Sequence, residues 1–174
     1  MEGMPLRRLY CHFRSLFATR DSLDFTYPFF MGLTHLEIFE VVSRDDQSLE
    51  PYKKLALLPN LTHLAFGDDG FSPIWFLLLQ ECAALRVLVV LDFIISGALL
   101  RVDSHAEDLV QDPRFLEVHS SMSCIADWII GAHAGMDYWS RAEEFAAKRR
   151  SGEVDLRQYW VDRPVHTPPT EEGA

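Results

Sequence analysis

The segment Leu33-Thr34-His35-Leu36-Glu37-Ile38 returns as Leu61-Thr62-His63-Leu64-Ala65-Phe66, and more loosely as Leu85-Arg86-Val87-Leu88-Val89-Val90. Leu6-Arg7-Arg8-Leu9-Tyr10-Cys11 fits the same frame upstream. Pro113-Arg114-Phe115-Leu116-Glu117-Val118 fits it downstream with the first leucine lost. The first positions lie 27, 28, 24 and 28 residues apart. A single L-x-x-L-x-apolar hexad carries almost no information, but five in register at one period do. A period of about 20–50 residues marks units that bury their apolar side only by stacking on neighbours.

The spacers have a shared character. A polar loop at Ser43–Glu50 precedes a helical pattern from Pro51 to Leu58, which Pro59 ends. Gly67-Asp68-Asp69-Gly70 is a turn cluster, after which Ser72 and Pro73 supply an N-cap and first helical residue for Ile74 to Ala84. His105–Gln111 is helical until Asp112-Pro113 breaks it. Each unit thus reads as strand, loop, helix and return. The predicted fold is an α/β solenoid with a short curved parallel sheet, helices on the convex side and a C-terminal helical cap. Residues 1–120 form about five units, 121–160 the cap and 161–174 a disordered tail rich in proline and glutamate. This phasing also accounts for the apolar run Ile74–Leu100. It divides into a helix and a strand, and Glu81, Arg86 and Asp92 make it a poor membrane span.

In such a strand the leucines point into the core and the intervening side chains point to the concave face. Three concave columns follow: Arg8, His35, His63, Val87 and Phe115; Tyr10, Glu37, Ala65, Val89 and Glu117; His12, Phe39, Gly67, Leu91 and His119. Cys11 falls on a core position. Phe39, Val87, Val89, Leu91 and Phe115 form an apolar concave patch and are the candidate protein-binding residues. Such a patch is either an interaction surface or is covered by a loop or by the C-terminal segment. His35 and His63 stand side by side near Glu37, which suggests a metal or hydrolytic site. The plainer reading is a repeat consensus with both imidazoles half exposed.

From Ser121 the spacing becomes helical, with Met122, Ile125 and Ile129 on one face and Trp128 beside it. Asp137 caps a further helix with an apolar stripe of Tyr138, Ala142, Phe145 and Ala146. Glu144 and Lys148 pair at i,i+4, and Ser151-Gly152 ends it. Trp128, Tyr138, Trp139 and Phe145 are expected to cover the open end of the last unit. Lys148-Arg149-Arg150 reads as a solvated helix end rather than a nucleic-acid patch.

Composition narrows the function classes. The formal net charge is −10 over 174 residues. It sits in the body, since residues 1–20 carry a net +3 and residues 21–120 a net −10. That balance disfavours phosphate-backbone partners. Three cysteines, Cys11, Cys82 and Cys124, are too few and too scattered for a disulfide scaffold or a zinc module. The N-terminal twenty residues show no secretory signal. No phosphate-binding loop, dinucleotide fingerprint, zinc-protease helix or nucleophile elbow is present in the sequence. No enzymatic activity, no cofactor, no metal, no membrane association and a cytoplasmic or nuclear location are therefore expected.

The repeat frame over about residues 6–119 resembles the leucine-rich repeat superfamily. Its phrasing resembles a group of proteins from mushroom-forming fungi. The strings that carry the likeness are Pro28-Phe29-Phe30 leading to Leu33-Thr34-His35-Leu36-Glu37-Ile38-Phe39, and Ala56-Leu57-Leu58-Pro59-Asn60-Leu61-Thr62-His63-Leu64. Gln111-Asp112-Pro113-Arg114-Phe115 and Asp137-Tyr138-Trp139-Ser140-Arg141-Ala142-Glu143 add to it. The resemblance implies a protein-binding solenoid, in longer members the substrate-recognition part of F-box-like proteins. No F-box helical segment precedes Leu6. The asparagine expected at the ninth position is Arg14, Val41, Asp69 and Phe93, so the turns must be held otherwise. The leading expectation is a protein partner on the concave face, with self-association through the uncapped N-terminal strand. The alternatives are a metal-binding or hydrolytic site at His35, His63 and Glu37, and a gene-model fragment without independent function.

Overall fold

The computed structural model describes residues 6–17, 23–44, 46–93, 106–120 and 137–161. Its centre is a six-stranded sheet of β1 (Arg8–Cys11), β2 (His35–Ile38), β3 (His63–Phe66), β4 (Val87–Phe93), β5 (Phe115–Ser120) and β6 (Trp160–Val161). All neighbours are parallel and the spatial order is the sequence order. The described helices are α1 (Phe13–Leu16), α2 (Asp46–Lys53), α3 (Ser72–Glu81), α4 (Ala106–Gln111) and α5 (Tyr138–Ser151). The chain is therefore α/β with an all-parallel sheet.

Register follows the repeat through four strands. Arg8 pairs with His35, His35 with His63 and His63 with Val87. Alternation then sends Leu9, Leu36, Leu64 and Leu88 to one face, here the back, where α2, the 3-10 turn after it and α3 bring Leu49, Tyr52, Leu55, Ile74, Trp75 and Leu78 against them. Burying one such side chain contributes about 1.5–3 kcal/mol, so this back core is the main stabilising mass.

Between β4 and β5 the register departs from expectation. Leu88, not Val87, lies opposite Phe115, and Val89 lies opposite Leu116. One residue of slip exchanges the faces of a strand. Phe115 accordingly belongs to the back core, with ring centroids 5.5 Å from Trp75 and 6.1 Å from Tyr159. Leu116 and Val118 join Val89 and Leu91 on the front. The hexad here had lost its first leucine, so nothing anchored its frame, and the larger ring took the core.

Two helices begin elsewhere than the sequence suggests. α2 starts at Asp46, with Pro51 inside it, and tightens into a 3-10 turn at Lys54–Leu57. Leu49, Tyr52, Leu55 and Leu58 are all buried, and their spacing of three is the 3-10 period, which keeps them on one line. Ser72 is the first residue of α3 rather than its cap. Phe71 stands at its N-cap without a side-chain bond, and Asp68 caps the 3-10 turn Asp69–Phe71 just before it, its Oδ1 accepting from the Gly70 amide at 2.8 Å. A side chain on Gly70 would put Cβ 2.3 Å from the Val42 carbonyl oxygen, so the loop closes only on glycine.

Carboxylates hold several of the turns by accepting backbone amides. Glu40, 3% exposed, accepts from the Arg14 amide at 2.6 Å and from the Tyr52 hydroxyl, tying the turn after β1 to α2. Asp24, Asp112, Asp137 and Asp155 likewise accept backbone amides, from Thr26, Arg114, Ser140 and Arg157. Part of the acidity is thus turn chemistry. Cys11 and Cys82 are buried and free. Burial pushes their thiols up to about 12 and about 11, which leaves them inert.

Among the described residues, no helix is long and apolar enough to cross a membrane. Trp160 and Val161 extend the sheet beside β5. Residues 162–174 and the pattern from Met122 to Ile129, with Cys124 and Trp128, lie outside the described residues.

Candidate functional site: the front face of the sheet and the helix upon it

The front face, expected to be concave, carries Arg8 and Tyr10, then His35 and Glu37, then His63 and Ala65, then Val87, Val89 and Leu91. It is not open. α5 lies on it and forms a second core in which Ala65, Val87, Val89, Leu91, Leu116 and Val118 meet Tyr138, Trp139, Ala142 and Ala146. Ala142 and Ala146, one turn apart, let the helix axis approach the aliphatic strands closely. The aromatics were expected to close the end of the last unit. Tyr138 and Trp139 lie instead over the front of β2 and β3, with Phe145 packed at the same core, and β6 pairs with β5.

Of the five candidate binding residues, Val87, Val89 and Leu91 are buried beneath α5, and Phe115 is buried on the other side of the sheet. Phe39 alone is accessible, at 42% exposure, stacked on Tyr10 with ring centroids 6.3 Å apart. Of the two outcomes open for the patch, cover by the C-terminal segment is the one found.

The sequence of α5 explains its boundaries. Asp137 caps it, with Oδ1 accepting from the Ser140 amide at 2.9 Å, and Oδ2 takes Arg8 at 3.0 Å. Gly152 ends it at φ 78°, a left-handed conformation that favours glycine. Glu144 and Lys148 pair at 2.8 Å. Arg149 departs from expectation. It is 2% exposed, and its guanidinium donates to the carbonyls of Phe115 (2.6 Å), Val110 (2.5 Å), Leu156 (2.5 Å) and Asp112 (3.1 Å). It bolts the end of α5 to the α4–β5 turn. The basic run suggested solvent because charge alone does not reveal which member has carbonyls to satisfy.

The two histidines are brought together as the spacing requires. Their rings stack with centroids 4.1 Å apart and planes 3° from parallel. Trp139 of α5 stands perpendicular to both, at 5.5 Å and 5.7 Å. His35 is half-buried and His63 buried, so they are not equally exposed as expected. Thr34 Oγ1 donates to the Arg7 carbonyl and lies 2.9 Å from His35 Nδ1. Thr62 Oγ1 donates to the Thr34 carbonyl and lies 2.8 Å from His63 Nδ1. Each threonine hydroxyl thus bridges a carbonyl just before the preceding strand and the Nδ1 of its own neighbouring imidazole.

That geometry serves packing better than metal binding. Parallel rings hold their nitrogen lone pairs in parallel planes, which do not converge on one ion. Glu37 is spent on α5, accepting from the Tyr138 hydroxyl at 2.6 Å. Among the described residues, no group of three ligand-type side chains could hold a metal. Burial, then the neighbouring His63 and Arg8, hold His35 down at about 3. Burial also lowers His63, against the pull of Glu143, whose Oε2 is 3.5 Å from Nε2 and which also pairs with Arg86. Trp139, Glu143 and Arg149 are the site residues that residue-type searching missed. Their signal was the alanine pair on α5, which marks a helix meant to lie flat on a sheet.

Comparison with family models, with curated proteins and with solved structures finds no match for this chain.

Proposed function

We propose that this chain is a non-enzymatic protein-binding module of stacked leucine-rich-repeat-like units, whose front face takes an amphipathic helix. The observation that supports this is α5 itself. A helix with an aromatic pair at its start and alanines one and two turns on is seated along Val87, Val89 and Leu91. The face therefore fits one ligand chemistry already, and a partner helix of that kind would compete with α5 for it. A target-recognition role of F-box-like type is the wider reading. Phe39 and Tyr10, beside the covered area, would form the rim of the same surface.

The test uses the full chain with Ala142→Asp, which weakens its own α5, and a fluorescent peptide of residues 137–152. Binding in trans to the variant, measured by anisotropy, is expected, with none to wild type. A peptide that itself carries Trp139→Ala and Ala142→Asp should not bind. Equal binding of both peptides, or of neither, would end this reading.

A further inference from the structure

The attachment of α5 to the sheet is unevenly built. Its C-terminal end is held by Arg149 on four carbonyls and by close packing of Ala146. Its N-terminal half is held by the packing of Tyr138, Trp139 and Ala142 and, around them, by ionisable groups. Asp137 meets Arg8, Tyr138 meets Glu37, Trp139 meets the His35–His63 stack, and Glu143 meets His63 and Arg86. We propose that the stacked histidines are a proton-operated latch: mild acid releases the N-terminal half of α5 and uncovers the apolar front face. This deepens the binding reading above, on which its purpose rests.

The groups facing the stack decide the sign. Arg8 from β1 and Arg86 from the loop before β4 supply two positive charges, and Asp137 and Glu143 from α5 supply two negative ones. Glu37, next along the same face of β2, is engaged by Tyr138. A first proton, on His63, can be shared with Glu143, although Arg86 already claims that carboxylate. A second, on His35, meets a like charge across stacked rings 4.1 Å apart, beside Arg8 and under Trp139. The docked state therefore refuses at least one proton that the released, hydrated state accepts at the ordinary histidine value of 6.5. A lowered value in the docked state means that docking is fully favoured above pH 6.5 and weakens as pH falls below it. Each refused proton costs about fivefold in the docking equilibrium over the first pH unit below 6.5 and approaches tenfold per unit beyond it.

Hydrogen exchange of the full chain, read by mass spectrometry on peptides from α5 and α3 and corrected for intrinsic rates, tests the latch. Between pH 6.5 and 5.5 the protection of the N-terminal half of α5 should fall about fivefold or more, while α3 is unchanged. The double variant His35→Phe, His63→Phe keeps the stack and should abolish that fall. His35→Gln with His63→Gln serves if the phenylalanine pair does not fold. Constant α5 protection in wild type, the same fall in the non-titrating variant, or a matching fall in α3 would each overturn the proposal. None of these outcomes depends on the peptide-binding result at fixed pH, so failure of the latch and failure of the binding reading are separable.

Discussion

Replacing Arg149 by methionine removes the one buried cation that joins α5 to the α4–β5 turn, while keeping a stem of similar length. The cost can be worked from its four acceptors. The bond to the Phe115 carbonyl is buried, so that oxygen loses its donor outright, at about 2 kcal/mol. The Val110, Asp112 and Leu156 carbonyls are only part-buried and can recover water, losing about 0.5 kcal/mol each. Removing a charge from the interior returns about 1 kcal/mol. The balance is a loss of about 2–3 kcal/mol, a large share of a typical domain stability of about 5–15 kcal/mol. Urea unfolding should show the midpoint falling with an unchanged slope. Arg149→Lys, which has fewer donors and no planar fork, should recover about half. If Arg149→Met stayed within about 0.5 kcal/mol of wild type, the four bonds would contribute nothing net and the bolt would be fiction.

Three further outcomes follow from the same packing. Val89→Asp puts a charge in the core beneath α5 and should cost about 4 kcal/mol in thermal melts, whereas Phe39→Asp on the rim should cost under about 1 kcal/mol. Equal losses would mean that α5 does not cover Val89. Gly70→Ala forces Cβ against the Val42 carbonyl and should cost about 2 kcal/mol by urea titration; a neutral result would show that the loop can shift. Burial alone would raise Asp137, but the Ser140 amide and hydroxyl and then Arg8 outweigh it and hold it below the usual carboxylate range. Its contribution is therefore present in full above the ordinary value of 3.8 and is lost as pH falls below that and through the lowered native value. Asp137→Ala should cost about 1 kcal/mol at pH 7 and little at pH 2, and a difference that persists in acid would show the cap to be worth nothing as an anion.

The part of the fold legible in the sequence was the part written twice. Leu33–Ile38 and Leu61–Phe66 repeat each other closely, and the pairing of His35 with His63 followed directly. The cap residues of α5 were equally readable, because Asp137, Glu144 with Lys148, and Gly152 act within one turn of themselves. Register at β5 was not, since a hexad without its first leucine fits two frames and only the volume of Phe115 in the back core chooses between them. The fate of the front patch was also beyond local pattern. Val87, Val89 and Leu91 announce that something must cover them, but the cover is a helix about fifty residues later in the chain. Arg149 was misread for a related reason: its partners are carbonyls, which every sequence contains and no sequence displays.

The sheet order places every strand next to its neighbours in sequence, and a ladder of that kind holds together only rung by rung, free to fray from either end. α5 changes this. Arg8 and Asp137 are separated by 129 residues, and Glu37 and Tyr138 by 101, so the same helix that reaches β5 also grips the first two rungs. Fraying at the first strand must then break contacts made near the far end of the chain. The helix turns a one-dimensional stack into a closed loop of dependencies. Such a chain unfolds as one cooperative body while the helix is seated, and as a sequence of local openings once it is not.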